Sequence, residues 1–306
     1  MSISIISVPS TINSNISQLS YQTFGLAIGS APVILINHAL TGNSTLLGIN
    51  GWWDKMVGVN KTINTLKYTI VVFNIPGNGY DNFFIADYKK ITTKQIAQLF
   101  WYGLEQLKIQ NLYAIVGGSL GGAIGWEMIL QQPTRVYKFV PIATHYKTNS
   151  WLAGNVHIQD SILNHSKKPI QGARKHAMFL YRSPAGINQK FLDNKAKVLE
   201  WLDYHGKALE NRFTLKAYKL VNHLLSTIGQ DVTDEVWEHF NREFKGEIHI
   251  ISVNTDLLFI PEDQEEAYQK LNSKIKTSYN KIHSVHGHDA FLIEFDQLSK
   301  ILNPLF

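Results

Sequence analysis

No cysteine occurs among the 306 residues. That excludes disulfides, thiolate metal ligands and a cysteine nucleophile together, and it suits a reducing compartment. No stretch approaches the roughly 18 apolar residues that a helical membrane span requires. Residues 1–20 lack a basic segment followed by an apolar one, so no secretory leader is expected. Internal repeats and low-complexity tracts are also missing. Nor is charge of one sign concentrated. The formal net charge is +5, but the lysines and arginines are scattered, with Lys167-Lys168 and Arg174-Lys175 the densest groups. A nucleic-acid binder would cluster that excess on one face. Here it reads as surface solvation with a slight bias toward an anionic ligand.

What is present is ample apolar material. Hydrophobic residues make up 44% of the chain, enough for a large core. The unbroken apolar run over Ala31–Asn37 reads as a buried parallel strand, Tyr68–Asn74 as another buried strand, and Tyr137–Ala143 and Glu247–Val253 as further strands of the same sheet. A last short strand is expected near Thr277–Ile282, and Tyr21–Ile28 reads as an edge strand. Residues 1–20 fit either a strand or a loosely tied arm. Thr92 is a candidate N-cap for a helix over Thr93–Leu107, with Ile96, Leu99, Phe100, Gly103 and Leu104 on one face. A short helix is expected at Gly51–Met56, its paired tryptophans serving packing. From Asn149 to Phe244 the strand pattern stops. Helical segments are expected around Trp151–Asn164, Gly172–Tyr181, Lys195–Lys207, Leu215–Ser226 and Thr233–Phe244. The reading is an α/β core of residues 1–148 and 245–306, a mostly parallel sheet flanked by helices, with a helical lid inserted at 149–244. A helix over Asp263–Leu271 and a C-terminal helix complete the core.

The stretch Tyr113 to Gly122 organises this pattern. A strand turns through Gly117-Gly118-Ser119-Leu120-Gly121 and leaves as a helix stopped by Pro133. A Gly-x-Ser-x-Gly between strand and helix is the nucleophile elbow of α/β-hydrolases, in which a sharp turn lifts the serine above the sheet. A plain glycine-rich turn is the alternative, and the flanking strand and helix favour the elbow. Ser119 is then the candidate nucleophile. The backbone amides of Leu40, in His38-Ala-Leu-Thr-Gly42, and Leu120 are the candidate oxyanion-hole donors. The fold uses the chain order serine, acid, histidine. Asp256 follows the end of a strand and is preferred to Asp263 as the acid. Three histidines compete for the base: His283, His286 and His288. No second cluster of ligands accompanies them, so no metal site is expected. His288, after Gly287 in the loop beyond the last strand, is chosen, with His286 second.

Several motifs together resemble the homoserine O-acetyltransferases of the α/β-hydrolase superfamily: Gly117-Gly-Ser-Leu-Gly-Gly122, His38-Ala-Leu-Thr-Gly42, Gly51-Trp-Trp-Asp54 and Gly287-His-Asp-Ala-Phe-Leu292. Inside the lid, Ala173-Arg174, Tyr181-Arg182-Ser183, Trp201-Leu-Asp-Tyr-His-Gly206 and Asn211-Arg212-Phe213 also look like that family. The similarity runs from about residue 35 to the C-terminus. It implies acetyl transfer from acetyl-CoA to the hydroxyl of homoserine through an acyl-serine, in methionine biosynthesis. Ser119, Asp256 and His288 fall on the family's triad, and Arg174, Tyr181 and Asp289 on its acceptor-binding positions. Three features depart from the pattern: the loop Ile75-Pro-Gly-Asn-Gly-Tyr80, Leu180 for the family's threonine and Leu120 for its methionine.

The resulting expectation is a cytoplasmic acyltransferase with acetyl-CoA as co-substrate and no permanently bound cofactor. Its partners would be small molecules, with neither nucleic acid nor membrane, and a homodimer through the lid. The competing readings are a serine esterase, transfer to serine or from succinyl-CoA, and a binding protein on an inactive hydrolase scaffold.

Overall fold

The computed structural model describes residues 3–271 and 273–306; Met1 and Ser2, within the stretch expected to be a strand or arm, lie outside them. The chain runs through β1 (Ser4–Ser7), β2 (Gln18–Gly25), β3 (Val33–Asn37), β4 (Val57–Gly58), β5 (Ile63–Asn64), β6 (Thr69–Phe73), α1 (Thr93–Gln106), β7 (Leu112–Gly118), α2 (Leu120–Gln131) and β8 (Val136–Ile142). Six helices follow without a strand: α3 (Ser150–His165), α4 (Pro169–Tyr181), α5 (Pro184–Phe191), α6 (Lys195–Glu210), α7 (Leu215–Ser226) and α8 (Asp234–Glu243). Then come β9 (Glu247–Val253), α9 (Pro261–Leu271), β10 (Lys276–Ile282) and α10 (Phe295–Leu302).

Eight strands form one sheet in the order β1-β2-β6-β3-β7-β8-β9-β10. All pairings from β6 to β10 are parallel; β1 and β2 are antiparallel. In the centre, Leu35 of β3 pairs with Val71 on one side and Ile115 on the other. Every residue of β3 and β6 is buried, which is why those strands read as continuous apolar runs. Two core clusters, one on each face, hold the sheet between helices. The chain first winds from β3 to β6 and then continues on the opposite side of β3 with β7. That reversal leaves a crevice at the carboxyl ends of β3 and β7, the place where open α/β sheets bind ligands.

Local chemistry explains most boundaries. Thr92 accepts a hydrogen bond from Gln95 N, and the Gln95 side chain accepts one from Thr92 N. This capping box starts α1, and a cap of this kind contributes about 1 kcal/mol. The residues expected on its inner face, Ile96, Leu99, Phe100, Gly103 and Leu104, are all buried.

Three expectations are corrected. Tyr21–Ile28 does not form the edge of the sheet, because β1 pairs outside β2 with Ile5 opposite Ser20. Gly51–Met56 is a run of turns, not a helix. Its Trp52 and Trp53 amides donate to the distant Thr45 and Leu46 carbonyls, so tertiary bonds replace a helical ladder. Helix α5 was not anticipated: it buries none of its residues, so it carries no apolar stripe to read.

Candidate active site

The turn between β7 and α2 is built from steric necessity. Ser119 has φ 56° and ψ −128°, a region that side chains with a Cβ rarely occupy. It is held there by Ser119 N donating to Ile142 O at 2.9 Å and by Ala123 N donating to Ser119 O at 3.0 Å. A Cβ on Gly121 would lie 2.3 Å from the Asn37 carbonyl oxygen, and one on Gly117 would lie 2.5 Å from the Gly121 oxygen. Only glycine lets the first turn of α2 press against the end of β3.

Ser119, Asp256 and His288, chosen from the sequence, meet at this point. The Ser119 Oγ stands 2.9 Å from His288 Nε2, and His288 Nδ1 stands 2.7 Å from Asp256 Oδ2. The other Asp256 oxygen accepts from the amides of Leu258 at 2.8 Å and Phe259 at 3.0 Å. Both carboxylate oxygens are thereby fixed, which fixes the imidazole with Nδ1 as donor and leaves Nε2 to accept from the serine. All three residues are buried. Burial presses the pKa of His288 down, but the charge of Asp256, its hydrogen bond and the charge of Asp289 together raise it above the ordinary value. The rival residues lie elsewhere. Asp263 is in α9 and accepts from Asn149, His283 is exposed, and His286 is half-buried.

The loop after β3 lies against the N-terminus of α2. Leu120 is the first residue of that helix, so its N–H is among those with no helical partner. Leu40 is buried in the neighbouring turn, where Gly42 N donates to Ala39 O. His38 anchors the loop: Ile75 N donates to its Nε2 at 3.0 Å, so its Nδ1 carries the proton and donates to Ala39 O at 2.8 Å. Burial pushes the His38 pKa down to about 4, against the smaller opposing effect of the Ala39 bond.

The helical block roofs the site. The Tyr181 ring lies 5.5 Å from the His288 ring, and the Arg174 guanidinium stands 5.4 Å above Tyr181. Burial pushes the Tyr181 phenol up to about 12, so it remains a neutral donor. Asp289 is joined to Arg182, Nη2 to Oδ2 at 3.2 Å. Arg212 donates to the Thr41 carbonyl at 2.9 Å and so ties the block to the loop that carries Leu40. Its guanidinium pKa is lowered by burial and then by the charge of Arg174. Thus Arg174 and Arg212 share one neighbourhood, and among the described residues no carboxylate forms an ion pair with Arg174. The roles of His38, Arg182 and Arg212 were not assigned from sequence. Their motifs were visible, but their partners lie far away along the chain.

Two spaces are lined in part by the loop after β3. An open cleft of about 520 Å³ is lined by residues including Thr41, Trp52, Tyr80, Arg212 and Leu292. A cavity of only about 10 Å³ lies among Leu40, Leu152, Tyr181, Tyr218 and Leu258, about the space of one water molecule.

Residues 32–294 match the family model described as the alpha/beta hydrolase fold. The chain belongs to the α/β-hydrolase family. Among α/β-hydrolases it is similar to the homoserine O-acetyltransferase of Moorella thermoacetica, at 29% identity over 94% of this chain and 89% of that one. The homoserine O-acetyltransferase of Thermus thermophilus is 27% identical, with 94% and 85% covered. The similarity to these transferases therefore extends along nearly the whole chain, and this α/β-hydrolase is an enzyme. Solved structures agree on the fold. Homoserine O-acetyltransferase from Staphylococcus aureus superposes with a TM-score of 0.83 at 22% identity, covering 99% of this chain and 94% of that one. Esterase E22 superposes with a TM-score of 0.85 at 16% identity, covering 99% of each. One architecture serves both transferases and esterases, so the acceptor must be argued from the site.

Proposed function

We propose that the enzyme moves an acetyl group from acetyl-CoA to the side-chain hydroxyl of L-homoserine. Ser119 Oγ attacks the thioester carbonyl carbon and gives its proton to His288 Nε2. The C–S bond breaks, and the same proton passes to the departing thiolate. The homoserine hydroxyl then gives its proton to His288 and attacks the acyl carbon. Ser119 Oγ leaves and recovers that proton. The amides of Leu40 and Leu120 are the donors assigned to the oxyanion of both intermediates, and one such donor is worth roughly 10²–10³ in rate.

The observation that carries this reading is the roof over the hydrogen-bonded Ser119–His288–Asp256 chain. A simple esterase needs only water as acceptor. Here Arg174, a cation that forms no ion pair with a carboxylate among the described residues, stands above the Tyr181 ring that packs on the base, and Asp289 adjoins His288. An amino-acid acceptor supplies a carboxylate for Arg174, a bidentate match, and an ammonium for Asp289. With homoserine as the acceptor, the role proposed for the enzyme is in methionine biosynthesis.

The test supplies acetyl-CoA or succinyl-CoA with homoserine, with serine, or with no acceptor, and follows thiol release. Acetyl-CoA turnover that depends on homoserine is expected, with none from Ser119→Ala. Thiol release at the same rate without an acceptor would refute transfer and establish hydrolysis.

A further inference from the structure

The base, His288, stands in a short 3-10 turn, Gly287–Leu292, a setting with little rigidity of its own. Two separate parts of the molecule hold it. From the sheet side, Thr255 Oγ1 accepts from Gly287 N at 3.1 Å and donates to the Ser284 carbonyl at 2.6 Å, and Asp256 grips the imidazole.

From the other side comes the turn that ends α4, Tyr181-Arg182-Ser183. The Ser183 hydroxyl donates to the Val285 carbonyl at 2.6 Å and accepts from Gly186 N at 3.0 Å, so one buried oxygen caps α5 and clamps the histidine loop. Contact between the two segments is close. Gly287 has φ 67°, and a Cβ there would lie 2.9 Å from both Ser183 N and the Tyr181 carbonyl oxygen. A Cβ on Gly186 would lie 2.1 Å from the Val285 oxygen. Arg182 meanwhile holds Asp289, the neighbour of the base.

We propose that Ser183 and Arg182 are positioning residues that divide the reaction between them. Ser183 sets the height and tilt of His288 through the Val285 carbonyl and so acts in both half-reactions. Arg182 sets the direction of the Asp289 carboxylate and so acts only where the acceptor binds. The helical block is on this view half of the mounting of the base and more than a cover for the substrate. The Arg182 half of the inference rests on the acyl-transfer reading; the Ser183 half requires only an acyl-serine. A displacement of an ångström in a general base costs up to about 100-fold in rate, which makes such a mounting measurable.

The experiment uses the full-length chain and separates the half-reactions. p-Nitrophenyl acetate without acceptor reports acylation, as the C–O(aryl) bond breaks and p-nitrophenolate leaves. Homoserine added to the acyl-enzyme reports transfer. Ser183→Ala is expected to slow acylation at least tenfold with little change in apparent KM, and to weaken the downfield proton NMR signal of His288 Nδ1–H. Ser183→Thr, which keeps the hydroxyl, should recover most of the rate. Arg182→Met should acylate within twofold of the unaltered enzyme but need at least tenfold more homoserine. Thermal unfolding separates placement from folding. The control is Ser226→Ala, which removes an exposed hydroxyl bonded to the His223 carbonyl. A Ser183→Ala variant that acylates at the full rate, or a threonine variant no faster than the alanine one, overturns the role of Ser183. Equal loss in both half-reactions for Arg182→Met overturns the division. If the unaltered enzyme itself fails to acylate with p-nitrophenyl acetate, the acyl-serine reading of the site falls instead.

Discussion

Two buried histidines, His38 and His288, show how neighbours decide what one side chain can do. Burial favours the neutral ring in both. At His38 nothing outweighs it, and the ring serves as a neutral link between two loops. At His288 the carboxylate of Asp256 reverses the sign. The unfolded chain takes up a proton near 6.5 in each case. For His38, with a folded value of about 4, the unfolded state binds the proton first, so stability falls as pH drops from about 6.5 toward 4. For His288 the folded value is raised, so its contribution is fully present below about 6.5 and is lost as pH rises through the raised value. Asp256→Asn removes the raising charge and leaves burial in command. The acid limb of acylation should then move to lower pH, with the plateau reduced on the order of 10⁴-fold. The pH dependence of the p-nitrophenolate burst measures this, and an acid limb that stays in place contradicts the assignment of Asp256.

Secondary-structure elements were legible where packing leaves a period in the sequence. The central strands appeared as apolar runs, and α7 matched its expected span because its buried residues, from Ala217 to Leu225, follow a helical period. Helix α5 was invisible for the converse reason. The elbow was legible because its glycines answer a backbone collision and not a preference. Gly121→Ala places a methyl group 2.3 Å from a main-chain oxygen, which cannot swing aside as a side chain could. It should cost about 3 kcal/mol or more and remove acylation. Gly154, in α3, has nothing within 4 Å of an added Cβ. Gly154→Ala should stabilise by about 0.5–1 kcal/mol. Urea unfolding of both variants tests the contrast; similar stabilities would show that the elbow relaxes.

At the scale of the molecule, the site is a product of strand order. The ends of β3, β7, β9 and β10 bring together residues that the chain keeps far apart, Ser119 and His288 by 169 positions and Asp256 and His288 by 32. The order of serine, acid and histidine after β7, β9 and β10 could be read from sequence, since each follows a strand recognisable there. The union of Ser183 with Val285 could not, because 102 positions separate them and neither residue carries a periodic signal. The same holds for Arg182 and Asp289, which the family motifs named without pairing.

The backbone of Ser119 has a consequence for the folding equilibrium itself. A residue with a Cβ held at φ 56° and ψ −128° stores roughly 1–3 kcal/mol of conformational strain, which the rest of the fold must hold in place. Glycine would release it at an entropic cost of roughly 0.5–1 kcal/mol. Of two variants that both lack the hydroxyl, Ser119→Gly should therefore melt above Ser119→Ala by a few degrees. Differential scanning calorimetry decides it with no substrate present, and equal melting temperatures would mean that the turn is unstrained. A higher melting point would identify the proposed nucleophile as a place where the protein keeps activity at the expense of its own thermal margin.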